Sequence, residues 1–342
     1  MRTLLTAICI LVSLTVYSQS DEKKSAIDKA VELMDNGFPD DAIAMLEKAK
    51  KQDPKDFTYD YEIAYAYSIK KDYKSAIESC KRAAKFANAS DLCYQMMGNS
   101  YDYLGESENA INAYKEGLKK FPDSGRLYLE QGIVRWIQKK EDEAISLFEK
   151  GISVDPTYPS NYYNLAKFYL GTTEKAWGMV YGEQFMNLER NTERTENMSK
   201  WLYEAYKSGI KIKSGSSFAV SFSKTIMAEP NSSTDLTKSK AMFGFTVYEP
   251  LLALSIINEK TIDLNSLDKI RTNFIKLYFS RKFEEKVPVV LFETNKIILD
   301  AGHYEAYNHW LLMKGDEEGF SKWKSANEDK WNKFVEWYNK NK

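Results

Sequence analysis

The sequence predicts an all-α protein, with a helical repeat array in its first half and a second, mostly helical domain behind it. Three features support this prediction: amphipathic segments that recur at a fixed interval, apolar residues at helical spacing in the second half, and a short apolar leader. A chain of 342 residues is long enough for two domains. Its hydrophobic content of 43% favours packed cores over disorder.

Small residues recur through the first half at an interval of 34 residues. A large residue recurs with them, and a proline or asparagine closes each copy. Small residues let two helices approach closely, large residues fill the gap, and proline ends a helix. The small series are Ala30, Ala64, Gly98 and Gly132; Ala42, Ala76, Ala110 and Ala144; and Ala49, Ala83, Gly117 and Gly151; the large series is Leu46, Cys80, Tyr114 and Phe148; the closing series is Pro54, Asn88, Pro122 and Pro156.

This pattern resembles the tetratricopeptide repeat, a helix–turn–helix unit of the same length. We call the first helix of each repeat helix A and the second helix B. The resemblance implies a right-handed superhelix whose concave wall is lined by helices A and binds a peptide or a partner helix. Four full repeats and a degenerate fifth unit are predicted within 23–190, the four being 23–56, 57–90, 91–124 and 125–158.

The concave wall that the resemblance implies is aromatic and amide-bearing. Family members that clamp a chaperone's terminal carboxylate carry Lys and Asn at the fifth and ninth places of one repeat; here only Asn99 matches, so that clamp is absent. Such a wall suits an extended peptide or an amphipathic helix. Alternatively, the second half of the chain folds into the wall and buries some of its aromatic residues. The predicted groove residues are Tyr61, Tyr65, Gln95, Asn99, Asp102, Tyr103, Arg126, Leu129, Trp136 and Tyr163.

Residues 191–342 are predicted to form an aromatic-rich helical domain, and they resemble no family of defined activity. Apolar residues spaced by four, from Met198 to Ile210, predict a helix at its start. Alternation at Phe218, Val220 and Phe222 indicates a short strand or extended segment within 216–247. A further helix is predicted over 266–283, with Ser266 as its N-cap.

The last forty or so residues concentrate aromatic side chains, including Trp323, Trp331 and Trp337. Two interpretations remain open from the sequence. The tryptophans form a stacking platform for a sugar or peptide, or they seal the core of this domain.

No catalytic motif, metal-binding spacing or cofactor fingerprint is present, so no catalytic residue, metal or cofactor is predicted. His303 and His309 are six residues apart and do not share a helix face as a zinc-binding pair would. The alternative to an interaction protein is an enzyme or glycan-binding module in 191–342, with the repeats as its docking arm. Its first candidate residues are His303, Glu305 and Trp310, and a filled core around them would argue against it.

The first residues have the pattern of a secretory signal peptide: Arg2, an apolar run from Leu4 to Val16, and the small residue Ser18. Cleavage is predicted after Ser18, giving an exported protein, periplasmic or secreted. The run is too short to span a bilayer, and no second apolar stretch is long enough, so the mature chain is predicted to have no membrane span.

Two cysteines, Cys80 and Cys93, remain after cleavage. They either pair in an oxidising compartment or stay as buried free thiols.

The charge is balanced, with 48 basic and 49 acidic residues, which gives no reason to expect a nucleic-acid partner. The leading hypothesis is an exported, non-enzymatic adaptor or scaffold that binds a protein or peptide partner. Self-association through end-stacked repeats is a further hypothesis.

Overall fold

The computed structural model describes residues 26–212, 217–223, 240–256 and 259–341. Over these residues the chain is helical apart from one two-stranded ribbon, which confirms the all-α prediction. It divides into two compact units, Met1–Pro156 and Thr157–Lys342. The predicted leader, 1–18, lies outside the described residues.

The first unit consists of four helix pairs in the predicted register. Helices A have odd numbers and helices B even numbers, and each helix pair falls within one predicted repeat. The helices are 26–35 (α1), Pro39–Lys50 (α2), Phe57–Ile69 (α3), Tyr73–Ala83 (α4), Asp91–Tyr103 (α5), Ser107–Lys120 (α6), Gly125–Ile137 (α7) and Glu141–Val154 (α8).

A close approach of helix A to helix B explains the small and large series. A Cβ added at Gly98 would lie 2.1 Å from the ring of Tyr114, and one at Gly132 would lie 2.4 Å from the ring of Phe148. In the first two repeats the same places hold Ala30 with Leu46 and Ala64 with Cys80, all fully buried. Glycine therefore accompanies an aromatic ring and alanine accompanies a smaller side chain, so the volume at each crossing is conserved.

The turn from helix A to helix B has the same backbone conformation in every repeat. A residue with positive φ occurs every 34 positions: Gly37 at 84°, Lys71 at 60°, Gly105 at 78° and Lys139 at 60°. This left-handed region suits glycine and is unfavourable for a residue with a Cβ. The two lysines therefore hold strained turns.

We predict that Lys139→Gly raises the free energy of unfolding by about 0.5–1 kcal/mol, because it removes the Cβ from a left-handed position. Gly105→Ala should lower it by a similar amount, since nothing lies within 4 Å of the added Cβ and the backbone alone determines the cost. Lys51→Gly is the control, because Lys51 has a right-handed φ of −65° and should gain nothing. Urea denaturation measures all three; a neutral Gly105→Ala would contradict the explanation.

The second unit contains the remaining elements. Helices α9 to α11 are followed by a β-ribbon, in which Ile210 pairs with Val220 and Ile212 with Phe218 in antiparallel register. A π-helical turn, Gly244–Tyr248, joins α12 to α13. The elements are Pro159–Leu170 (α9), Lys175–Leu188 (α10), Glu193–Gly209 (α11), Ile210–Ile212 (β1), Phe218–Val220 (β2), Lys240–Phe243 (α12), Glu249–Ser255 (α13), Leu264–Ser280 (α14), Phe283–Lys286 (α15), Val290–Asp300 (α16), Tyr304–Leu312 (α17), Glu317–Ala326 (α18) and Glu328–Lys340 (α19).

The boundary between the units differs from the sequence-based boundary at 190. The degenerate fifth pair, α9 with α10, groups with the second unit. Two glycines explain the packing of α10: a Cβ at Gly178 would lie 2.8 Å from Leu170 of α9, and one at Gly182 would lie 2.8 Å from Met198 of α11. The glycines that interrupt the repeat pattern therefore let α10 approach helices on two sides.

Two local predictions in the second half need correction. The helix expected to continue to Ile210 ends at Gly209, because Ile210 is extended and pairs with Val220 as the first residue of β1. The N-cap of α14 is Asp263, not Ser266; Ser266 is the third helical residue and accepts a hydrogen bond from the Asp263 amide in a capping box.

A buried ion pair lies in the core of the second unit. Arg271 of α14 and Glu183 of α10 are 5% and 4% exposed, and the Arg271 Nη2 lies 2.6 Å from the Glu183 Oε1. The guanidinium also donates to the Tyr206 hydroxyl at 2.8 Å and to the Asn308 Oδ1 at 2.7 Å. Glu183 accepts a further hydrogen bond from Asn295 at 2.9 Å. The pair therefore connects five helices, α10, α11, α14, α16 and α17.

The electrostatics of this site keep Arg271 charged. Burial alone would lower the pKa of its guanidinium, but the charge of Glu183 and the neighbouring tyrosines raise that pKa above its usual value. A charge at this depth is tolerated only because it is paired and hydrogen-bonded.

We predict that Arg271→Met lowers the free energy of unfolding by about 3–5 kcal/mol, because Glu183 is left buried without its cation. The double variant Arg271→Met with Glu183→Leu should recover most of that loss, since no charge remains to be buried. Chemical denaturation followed by circular dichroism measures both. A single variant as stable as the unmodified chain would contradict the assignment.

Candidate partner-binding face of the first unit

The first unit brings polar and aromatic side chains from three successive helices A onto one surface. We call this surface the helix-A face. The Gln95 amide of α5 donates to Glu130 of α7 at 2.6 Å, and Arg126 of α7 donates to the Gln95 carbonyl at 3.2 Å. The charge of Arg126 also reaches Tyr61 of α3, where it opposes the rise in pKa that burial causes. The face is defined by Tyr61, Glu62, Tyr65, Gln95, Asn99, Asp102, Arg126 and Glu130.

The two tyrosines of this face differ in exposure. Tyr65 is 42% exposed, so part of its side chain is accessible from solvent. Tyr61, one turn earlier on α3, is half-buried and packs against the repeat core. Burial first, and then the charge of Glu62, raises the pKa of Tyr61 to about 12, so its hydroxyl stays protonated.

The polar side chains of the face are held in position by internal hydrogen bonds. Asn99 accepts from the Tyr114 hydroxyl at 2.6 Å, and Asp102 accepts from the Ser107 hydroxyl at 3.1 Å. The Arg126 Nε lies 3.8 Å from the carboxylate of Asp91. The geometry is therefore formed before any partner arrives, which reduces the entropy lost on binding.

Two carboxylates on this face, those of Glu62 and Glu130, were not predicted from the sequence. Burial raises the pKa of Glu62. Burial also raises the pKa of Glu130, although the Gln95 hydrogen bond and the charge of Arg126 act in the opposite direction. Both hold the sixth place of their repeats, outside the five places considered. Helical spacing could have found Glu130, which lies four residues after Arg126.

Four predicted groove residues have other surroundings. Tyr103 is 72% exposed but stacks on Tyr73 at 4.9 Å between ring centroids, and Leu129 is only 5% exposed. Trp136 packs edge-to-face against Phe148 of its own repeat at 6.1 Å. Tyr163 belongs to the second unit, and its ring lies 5.0 Å from that of Phe185. The structure thus joins Gln95 to Arg126, brings Tyr61 within reach of the Arg126 charge and gives these four residues other surroundings. That Tyr65, Asn99 and Asp102 line a common groove stays a prediction.

The two cysteines of the first unit are buried free thiols. Burial raises the pKa of both, that of Cys93 to about 11. Neither is a thiolate at neutral pH, and the disulfide alternative is not realised in this structure.

The residues considered for an enzyme or glycan site are packed within the second unit. The His309 ring stacks on Trp323 at 4.1 Å, and burial lowers its pKa, which favours the neutral imidazole. The Glu305 carboxylate accepts hydrogen bonds from Trp323 at 3.0 Å and from Lys330 at 2.7 Å. The Trp310 ring packs among Tyr307, Phe334 and Tyr338, and the His303 ring lies 5.1 Å from Trp337. His303, Glu305 and Trp310 are thus half-buried, and each is engaged in ring contacts or hydrogen bonds within its own unit.

The tryptophans of the C-terminal helices follow the core interpretation. Trp323 is buried, and Trp331 packs edge-to-face against Phe320 at 5.4 Å. Their rings are used within the unit rather than aligned as an open platform.

A small cavity lies beside the buried ion pair. It is lined by Glu183, Tyr206, Arg271, Asn295 and apolar neighbours, and its volume is about 20 Å³. That volume holds about one water molecule, so a sugar ring does not fit.

Within the described ranges, no group of three His, Cys, Asp or Glu side chains is arranged to hold a metal ion. None of the helices described has the length and apolar character that a bilayer crossing requires.

Helix pairs in register, with one helix of each pair contributing to a shared preformed face, define the class of helical-repeat interaction scaffolds. Residues 27–91 and 96–161 match the tetratricopeptide-repeat family profile. The chain is a tetratricopeptide-repeat protein in this part of its length.

Relatives and solved structures share this repeat region. Small glutamine-rich tetratricopeptide repeat-containing protein 2 of Saccharomyces cerevisiae is 35% identical over 92 residues, 26% of this chain and 26% of that protein. Human protein arginine N-methyltransferase 9 is 22% identical over 246 residues, 68% of this chain and 26% of that protein. The chain thus spans about a quarter of the length of the curated relatives it matches. The structure of Pseudomonas aeruginosa pilF is 18% identical with a TM-score of 0.44, covering 56% of this chain and 86% of that chain.

We predict that Glu62→Gln raises the melting temperature at pH about 7. The pKa of Glu62 is higher in the folded chain than in the unfolded chain, so the folded state holds more protons between these two values. Stability is therefore greatest below the unfolded pKa and falls as pH rises through the folded pKa. The glutamine avoids that loss, and its advantage should shrink at pH about 4.

Glu78→Gln is the matched control for this titration. Glu78 is exposed on helix B, and its hydrogen bond with Lys81 lowers its pKa. A carboxylate of lowered pKa stabilises the fold above its unfolded pKa, so Glu78→Gln should gain nothing at neutral pH. Thermal unfolding at both pH values decides, and equal gains in both variants would contradict the burial argument.

Proposed function

We propose that this chain is an exported adaptor, not an enzyme, and that its helix-A face binds a peptide or helix of a protein partner. The observation that carries the proposal is the preformed arrangement of Gln95 and Arg126 across two repeats, together with the 42% exposed Tyr65 on the preceding helix A. Rigid aromatic anchors beside fixed polar groups are the usual composition of strong binding surfaces.

The proposed mechanism is capture on a rigid surface. An apolar or aromatic side chain of the partner packs on Tyr65, which excludes water there, and the partner's backbone or polar groups bond to Gln95, Asn99 and Arg126. Little conformational freedom is lost by the adaptor, because these side chains are already fixed.

The proposal that the protein is exported is supported by its first 18 residues. Arg2, the apolar run from Leu4 to Val16 and Ser18 form the charge, apolar and small-residue order of a cleaved signal peptide. A periplasmic or secreted adaptor would meet its partner outside the cytoplasm.

The non-enzymatic component is supported by the packing of the second unit. His303, Glu305 and Trp310 are half-buried and engaged in ring contacts and hydrogen bonds of their own unit. The cavity beside Arg271 holds about one water molecule.

We predict that Tyr65→Ala reduces capture of the partner at least about tenfold in a crosslinking pull-down from native material, as loss of a central aromatic anchor does. Phe38→Ala is the matched control, because Phe38 is 55% exposed in the turn before α2 and lies outside the helix-A face. Both variants truncate an exposed ring and should keep the helical signal and the melting temperature. Capture that survives Tyr65→Ala, or is lost equally in Phe38→Ala, rejects the helix-A face as the binding site.

A further inference from the structure

The helix-A face has more negative than positive side chains. Of the eight residues that define it, Glu62, Asp102 and Glu130 are acidic and only Arg126 is basic. The chain as a whole is nearly neutral, with 48 basic and 49 acidic residues, so this excess is local. A surface of one charge sign favours partners of the opposite sign.

The single cation of the face already serves carboxylates and amides of its own unit. Arg126 lies 3.8 Å from Asp91 and donates to Gln95 at 3.2 Å. Glu130 accepts the Gln95 amide at 2.6 Å. Among the described residues, no Lys or Arg forms an ion pair with Glu62 or Glu130.

A buried carboxylate elsewhere in the same unit, that of Asp60, forms direct ion pairs. Asp60 of α3 is 1% exposed, and it is paired with Lys50 at 2.7 Å and Arg82 at 2.9 Å. Both cations come from helices B. Asp60 thus has two direct ion pairs, whereas Glu62 and Glu130 have none with the residues described; the charge of Arg126 acts on Glu130 without a direct contact.

A partly desolvated carboxylate without a cation is unfavourable in the free protein and favourable once a cation arrives. Removing water around it strengthens the new interaction, because the local dielectric constant falls. The tyrosine rings of the same face add apolar contact and a site for cation–π contact. The charge of Glu62 acts on the hydroxyl of Tyr61, so the two groups lie near each other.

We propose that the helix-A face selects a basic peptide segment, whose Lys or Arg side chains pair with Glu62 and Glu130 while a neighbouring apolar side chain packs on Tyr65. This inference rests on the proposed function and adds the chemical class of the partner. Acidic segments are rejected by the same carboxylates, since like charges at a partly desolvated surface repel.

The test uses the full chain and three labelled synthetic peptides that alternate Leu and Gly with Lys, Glu or Gln, measured by fluorescence anisotropy. The Lys peptide should bind, and its affinity should fall at least about tenfold in Glu62→Gln with Glu130→Gln, since charge-assisted bonds are lost. Both glutamines keep the shape of the side chain and an acceptor for the Gln95 amide. Binding should also weaken between about 50 mM and about 300 mM salt.

The matched control is Glu78→Gln with Glu116→Gln, which removes the same charge from exposed helix-B positions. This variant should bind the Lys peptide as the unmodified chain does. Equal affinity in both double variants, no binding of the Lys peptide, or a Glu peptide that binds as well, each overturns the inference.

One outcome separates this inference from the proposed function. If the Gln peptide binds as well as the Lys peptide, loses affinity in Tyr65→Ala and is unaffected by the double glutamate variant, the face binds peptides without selecting cations. That result overturns the basic-partner inference and leaves the adaptor proposal standing. Binding of the Lys peptide that ignores both Tyr65→Ala and the double glutamate variant overturns both.

Discussion

The first unit depends on one constraint: each helix A must lie close enough to its own helix B for a small residue to accommodate a large side chain. Gly98 under Tyr114 and Gly132 under Phe148 show how little space separates the two backbones. The short distance fixes the crossing of every pair and thereby the direction in which each helix A presents its remaining side chains. The contiguous helix-A face is a result of this packing.

Three buried or half-buried carboxylate settings show how the chain manages negative charge. Asp60 is paired with two cations, and Glu183 is paired with Arg271 inside a network of tyrosines and asparagines. Those arrangements keep buried charge compatible with a stable fold. Glu62 and Glu130 lack such pairing, and this difference within one chain is why the surface that holds them is interpreted as functional rather than structural.

The repeat half could be predicted from the sequence because its determinants are periodic: small, large and helix-ending residues recur at one interval, and helix boundaries follow. The second half could not be predicted in this way, because its packing depends on individual contacts between residues that are far apart in the sequence. Arg271 and Glu183 are 88 positions apart, and no periodicity links them. Groove residues were predicted from places in a repeat, and two of them, Gln95 and Arg126, are joined by a hydrogen bond between successive helices A. That approach could not anticipate that Leu129 is buried or that Trp136 turns toward Phe148. It also overlooked the carboxylates one place further along.

The volume matching at the helix crossings has a consequence for how such an array changes over time. Alanine with leucine or cysteine and glycine with an aromatic ring are each complementary, but a mixed pair would leave a void or a clash. A change on helix A of a crossing therefore requires a matching change on helix B of the same repeat. By this packing argument, the whole hairpin is the smallest piece that can be exchanged between repeats without a void or a clash.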